Sequence, residues 1–209
     1  YTLSIGSYGC NFNCSFCQNY SISKEIPITV EKTPQEVVEL ALEYNLPSIS
    51  YTYNEPSIYY EFMLDTVKNA KDRGIKNIMV TNGYIEEEPL KNLLPYLDGM
   101  NIDLKAYSEE VYRKFCNGGI TPVKKSIELA NEFCHVEVTT LIVPGMNDQL
   151  SQLSELFQWL ASVDNKIPLH LSRYYPRYRY DKPATDIDFM KTAQLEAKRY
   201  LRYVYLGNI

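Results

Sequence analysis

Two hydrophobic rhythms alternate along this chain. Short runs rich in β-branched and aromatic residues are each followed by a segment whose apolar positions recur at helical spacing. The strand-like runs are Thr2–Gly9, Ser48–Tyr53, Asn77–Thr81, Met100–Leu104, Val136–Val143, Leu169–Arg173 and Tyr203–Leu206. Between them fall helical segments. The first starts at the capping box Thr33-Pro34-Gln35-Glu36, with Pro at its first position, and runs to about Tyr44. The next covers Ile58 to Arg73 and is closed by Gly74. A third, Glu86–Leu97, carries Pro95, which should distort its last turn. After an excursion from Ser108 to Gly119, a helix from Thr121-Pro122 to Phe133 puts Val123, Ile127 and Ala130 on one face. Leu150, Leu153, Leu156, Phe157 and Leu160 stripe the fifth helix, and Asp186–Leu201 is the sixth. Ser21–Val30 reads as an extended connection.

Strand–helix repetition of this kind predicts parallel βα units. Six repeats and a last strand fall short of the eight that close a (β/α)₈ barrel. The expected fold is therefore α/β: one domain over residues 1–209, a partial (β/α)₆ parallel barrel open at one side. In such folds the chemistry gathers at the carboxyl ends of the strands.

The end of the first strand carries Cys10-Asn11-Phe12-Asn13-Cys14-Ser15-Phe16-Cys17, three thiols at C-x3-C-x2-C spacing. Thiolates at this spacing suit an iron–sulfur cluster, and a cubane held by three of them keeps one iron without a protein ligand. A structural zinc site wants four closed ligands, whereas both histidines, His135 and His170, lie far along the chain. Burial as small hydrophobes is the other alternative, but Asn11, Asn13, Ser15, Gln18 and Asn19 make the loop polar. Cys116 and Cys134 read as structural.

Other strand ends are polar too. Thr52-Tyr53-Asn54-Glu55-Pro56 follows the second strand; Asn, Glu and Pro also suit an ordinary turn there. Thr81-Asn82-Gly83 follows the third. Asp103-Leu104-Lys105 closes the fourth with Asp103 and Lys105 on one face. Such a pair in a barrel mouth is either used or a structural ion pair. The sixth ends in His170-Leu171-Ser172-Arg173 and runs into a basic and aromatic stretch, Tyr174 to Tyr180. Its Arg and Tyr faces suit stacking on adenine or gripping a carboxylate, or else a solvated loop.

The cysteine motif, with its aromatic Phe16 before the third Cys, resembles the signature of the radical S-adenosylmethionine (SAM) superfamily. Cys-Asn-Phe-x-Cys-x-Phe-Cys-Gln-Asn, Tyr-Asn-Glu-Pro and Ser-Arg-Tyr-Tyr-Pro are similar to segments of the AmmeMemoRadiSam-system radical SAM proteins, which in turn resemble pyruvate formate-lyase activating enzymes. The resemblance runs over nearly the whole chain and implies a barrel of the radical SAM type. It implies a [4Fe–4S] cluster on Cys10, Cys14 and Cys17, with SAM completing the open iron. Reductive cleavage of SAM then gives a 5′-deoxyadenosyl radical that abstracts hydrogen, the cofactors carrying the chemistry. By the same resemblance Glu55, with Asn54, stands where the family's Gly-Gly-Glu region holds the SAM amino group, although both glycines are absent. Thr81 and Asn82 match the turn near the SAM carboxylate, with Val80 in place of the family's Asp. Asp103 and Lys105 would belong to the shell around that carboxylate and the substrate, and His170 suits a ribose or adenine contact beside Arg173. The implied substrate is a peptide or protein, a glycyl-radical enzyme among the options, and the implied electron donor is a flavodoxin or ferredoxin.

Composition trims these expectations. A hydrophobic share of 45% and a charged share of 22% are ordinary for a globular protein. A net charge of −5 argues against wrapping duplex nucleic acid by charge alone. Five cysteines, an odd number with three in one loop, do not suggest a disulfide framework. With neither a long apolar run nor a secretory leader, a cytoplasmic protein away from membranes is expected. The chain begins on Tyr1 and stops at Ile209 after an apolar run, so it reads as a core cut from a longer protein. Two rival functions remain open: a non-catalytic zinc-binding or interaction module, and a radical enzyme acting on RNA through the Arg/Tyr stretch.

Overall fold

The computed structural model describes residues 1–209. Seven parallel strands form one sheet in chain order: β1 (Leu3–Ile5), β2 (Ser48–Tyr51), β3 (Lys76–Thr81), β4 (Gly99–Asp103), β5 (His135–Ile142), β6 (Leu169–Arg173) and β7 (Val204–Gly207). No ladder joins β1 to β7, so the barrel is open there. The helices are α1 (Tyr20–Ser23), α2 (Pro34–Glu43), α3 (Tyr60–Asp72), α4 (Glu87–Leu93), α5 (Glu109–Val111), α6 (Ile120–Asn131), α7 (Leu150–Asp164) and α8 (Ile187–Ala197). None is long and apolar enough to cross a membrane.

Local chemistry explains most boundaries. Thr33 caps α2 as the sequence requires: its hydroxyl accepts from the Glu36 amide and Glu36 accepts from the Thr33 amide. Asp186 caps α8 through the Phe189 amide at 2.8 Å. Pro95 limits α4, which ends at Leu93 and continues as a 3₁₀ turn over Leu94–Tyr96. The first strand is shorter than the apolar run suggests, because the Ser7 amide turns to the Asn54 side chain instead of a neighbouring strand. The 21–30 connection is not wholly extended; it opens with the helical turn α1. Within the excursion from Ser108 to Gly119 lie α5 and a π-turn over Tyr112–Cys116, which ends on Asn117 in the left-handed region.

The sheet's two faces follow from strand alternation. On β5, Val136, Val138, Thr140 and Ile142 are buried, while Glu137, Thr139 and Leu141 are only half-buried on the other side. The buried face meets α6 and α7, whose Val123, Ile127, Ala130, Leu153, Leu156, Phe157 and Leu160 are all excluded from solvent. The opposite face lines the barrel interior, and the strand ends on that side carry the polar residues.

Low in the interior the chain's two histidines converge on one carboxylate. His135 and His170 approach Glu137 at 3.2 and 2.8 Å, and His170 stacks on Tyr205. Partial burial alone would raise the Glu137 carboxyl, but its hydrogen bonds from the histidines hold it below the usual range. A depressed carboxyl adds stability above its unfolded pKa, near 4.3, and loses it as the pH falls through the lower folded value. Glu137→Gln should therefore lower the stability measured by urea unfolding at pH 7, by less than about 1 kcal/mol for so exposed a group. The gap between variant and parent should close as the pH falls below the unfolded pKa and through the lower folded one; a gap that stays constant throughout the acid titration contradicts the assignment.

Candidate functional site

A cavity of about 250 Å³ opens at the carboxyl ends of β1 to β6. Cys10, Cys14, Cys17, Phe16, Glu55 and Lys105 are among its lining residues. The cysteine loop that forms one wall is fixed from several sides. Asn13 and Ser15 donate their amides to the carbonyls of Cys116 and Phe115 at 2.8 and 2.9 Å, and the Arg179 amide donates to Ser15. The Arg179 guanidinium reaches the Asn13 side chain at 2.7 Å. Phe12 and Phe16 are buried and anchor the loop. Gly118 makes room for Phe12, since a Cβ there would meet the ring at 2.2 Å.

All five cysteines are free, and each thiol of the motif has a hydrogen-bonding neighbour. The Phe12 amide and the Asn82 side chain point at the Cys10 sulfur at 3.4 and 3.6 Å, and the Ser23 hydroxyl lies 3.1 Å from the Cys17 sulfur. The fully buried Cys116 thiol beside Cys14 brings the Cys14 thiol down to about 7, while that contact and burial push its own up. Burial pushes the Cys10 thiol up.

The turn after β2 preserves a backbone form usually reserved for glycine. Tyr53 has φ of +72°, and its carbonyl is held by the Asn19 side chain at 2.9 Å. Asn54 is committed to the loop, accepting from the Ser7 amide and donating to the Gly9 carbonyl. Gly6 faces the Thr52 carbonyl so closely that a Cβ would lie 2.8 Å from it. The turn is thus shaped by a strained tyrosine and an asparagine that ties the end of β1 to β2.

Glu55 lies almost wholly out of solvent. It accepts from the Ser57 amide (3.0 Å), the Thr81 hydroxyl (2.7 Å) and the Asn82 amide (2.8 Å). Burial pushes its carboxyl up against the pull of those donors. Its donors come from the two strand-end turns, so it joins the β2 and β3 turns. Thr81 also accepts from the Gly83 amide, and the Asn82 carboxamide donates to Asn11 at 2.7 Å.

Lys105 bonds Asp103 at 2.9 Å. Burial alone would lower the ammonium, but the Asp103 carboxylate and the sulfurs of Cys14 and Cys116 hold it well above its usual value. Around it the Tyr112 hydroxyl accepts from the Lys105 amide and Asn147 donates to the Lys105 carbonyl.

The structure gathers the cysteines, Phe16, Asn54, Glu55, Thr81, Asn82, Asp103 and Lys105 around one cavity but leaves His170 and Arg173 outside its lining. His170 faces Glu137 lower in the interior. Arg173 donates to the Thr185 carbonyl and the Tyr175 hydroxyl and stacks on the Tyr175 ring. The reason is geometric: His170 precedes the end of β6, and Arg173 binds the loop that follows. The basic stretch is solvent-exposed from Tyr175 to Arg179, as a solvated loop would be, but it is also tied down: Arg179 braces the cysteine loop and Tyr178 stacks on Tyr20 at 5.2 Å. Sequence reasoning missed Cys116 and Ser23 as partners of the thiols, along with Gln18, Asn19 and Ser172 in the lining.

An open parallel barrel with three thiols at the mouth of its first strand defines a class, and residues 4–160 match the sequence model of that class. The chain belongs to the Radical SAM superfamily. It is 46% identical over 216 residues to an uncharacterised protein of Methanocaldococcus jannaschii, covering 100% of this chain and 63% of that one, so it spans less than two thirds of that relative. A putative glycyl-radical enzyme activating enzyme of the same organism is 26% identical over 215 residues, covering 99% of this chain and 79% of the relative. Among solved structures, Streptococcus suis SuiB bound to S-adenosylmethionine superposes with a TM-score of 0.76 at 14% identity, over 100% of this chain and 51% of SuiB; SuiB is also known bound to its precursor peptide SuiA.

Proposed function

We propose that this chain is one radical SAM core in which Cys10, Cys14 and Cys17 hold a [4Fe–4S] cluster that SAM completes, and that the pair acts on a peptide or protein substrate. The observation that carries the reading is that three free thiols share one cavity with hydrogen-bond donors facing their sulfurs. When bound, the cluster and SAM supply reductive cleavage of the sulfonium and abstraction of hydrogen from the substrate. The chain's own residues position and neutralise. Lys105 stays cationic at working pH and presents its ammonium beside Asp103, which suits recognition of a carboxylate next to an amine. Asn82 and Thr81 form the neighbouring wall. Glu55 acts through them as a positioning residue, because it accepts from Ser57, Thr81 and Asn82 and so fixes both turns at the cavity. Phe16, buried, lines the cavity beside the cysteines.

A peptide or protein substrate is supported by the activating-enzyme relative and by the peptide complex of SuiB, and glycyl-radical activation is one form of it. A flavodoxin or ferredoxin is the matching electron donor. The RNA alternative rests on the Arg/Tyr stretch, where Tyr175 to Arg179 are exposed and Arg179 also braces the cysteine loop; absent or salt-insensitive RNA binding would remove it. Anaerobic reconstitution followed by iron and sulfide analysis, and then incubation of the reduced protein with SAM, tests the reading. Iron and sulfide in equal amount and release of 5′-deoxyadenosine are expected, whereas zinc without sulfide would favour a non-catalytic module.

A further inference from the structure

The helical turn α1 interrupts a segment whose sequence reads as extended, and it carries one buried hydroxyl to one thiol. Gly9 donates its amide to the Ile22 carbonyl at 3.0 Å, tying α1 to the cysteine loop. Ser23, 6% exposed, lines the cavity, and its Oγ lies 3.1 Å from the Cys17 sulfur. A serine in a helical turn commonly returns its hydroxyl to a carbonyl four residues back. Here Cys17 is the only hydrogen-bonding partner of the Ser23 side chain. As it stands, either atom can donate. A metal-bound cysteine is a thiolate with no proton, so once Cys17 is a ligand the hydroxyl must be the donor. Cys10 receives longer contacts, at 3.4 and 3.6 Å.

We infer that Ser23 is a positioning residue whose hydroxyl donates to the Cys17 thiolate and thereby holds the cluster at a higher reduction potential than the three thiolates alone would give. Hydrogen bonds to cluster sulfurs stabilise the more negative, reduced state. The serine so sets how strong a reductant the electron donor must be. This rests on Cys17 being a cluster ligand, as proposed above.

Spectropotentiometric titration of the reconstituted cluster without SAM, followed by electron paramagnetic resonance, measures the effect. Ser23→Ala should shift the midpoint negative, lowering the reduced-to-oxidised ratio at a fixed poise by on the order of tenfold, about 59 mV for a one-electron couple. Ser23→Thr should restore the parent midpoint. Ser23→Val, of the same shape as Thr without the hydroxyl, should behave like Ala, and the Thr/Val pair decides the matter if the Ala variant holds no cluster. Equal midpoints in Thr and Val, or an Ala midpoint equal to the parent's, overturn the inference. A parent protein with no iron–sulfur signal overturns the ligand assignment instead, so the two failures are distinct.

Discussion

Cys17→Ala should leave the chain folded and strip it of iron and sulfide after reconstitution, and with them 5′-deoxyadenosine formation. Cys10→Ala and Cys14→Ala should do the same. In the proposed cluster each thiolate would hold an iron of its own, so loss of one ligand would leave a second iron without a protein ligand. Cys10 and Cys17 are only half-buried and add little to the core, whereas Cys14 is buried at its edge but short. A stability change within about 1 kcal/mol is therefore expected, as for substitutions away from packed core. The control is Cys116→Ala. Its thiol touches Cys14 but does not line the cavity, so iron should be retained. Iron lost from Cys116→Ala and kept by Cys17→Ala would reassign the ligand set. Iron and sulfide analysis beside circular dichroism decides it.

Glu55→Ala should be the most damaging single change outside the core. The carboxylate is 2% exposed and answers three donors from two turns that are distant in sequence. Removal leaves the Ser57 amide, the Thr81 hydroxyl and the Asn82 amide without that acceptor, and a buried unsatisfied donor costs about 1–3 kcal/mol. Water entering from the adjoining cavity would recover part of this, so a net loss on the order of 3 kcal/mol is expected in urea unfolding. Glu55→Gln should lose less, since one oxygen remains an acceptor while its new NH₂ opposes a donor. SAM binding should weaken in step, because the same carboxylate holds Thr81 and Asn82 at the cavity wall. A loss below about 0.5 kcal/mol in Glu55→Ala, the range of ordinary surface changes, would show that the two turns stand without it.

Much of this was legible in the chain. Val123, Ile127 and Ala130 at helical spacing, the Thr33–Glu36 box and the alternation of β5 each act over a few residues, where backbone geometry alone fixes which side chains share a face. The same locality put the cysteines, Asn54, Glu55, Thr81, Asn82, Asp103 and Lys105 at strand ends, and parallel βα topology sends all such ends to one rim. His170 and Arg173 were harder to place, because depth along a strand and the path of the following loop depend on packing rather than on spacing.

By itself the sequence determined the open parallel barrel and the thiol triplet at its mouth, since both are written in periodicity and short spacing. Only the tertiary structure decided that Arg179 braces Asn13 from the far end of the chain, that Cys116 sits against Cys14, that Tyr53 takes a glycine's backbone form and that Glu55 turns inward to join two turns. Those are contacts between residues remote in sequence, and no local pattern encodes them. They exist because each buried polar group must find its partner wherever folding places one.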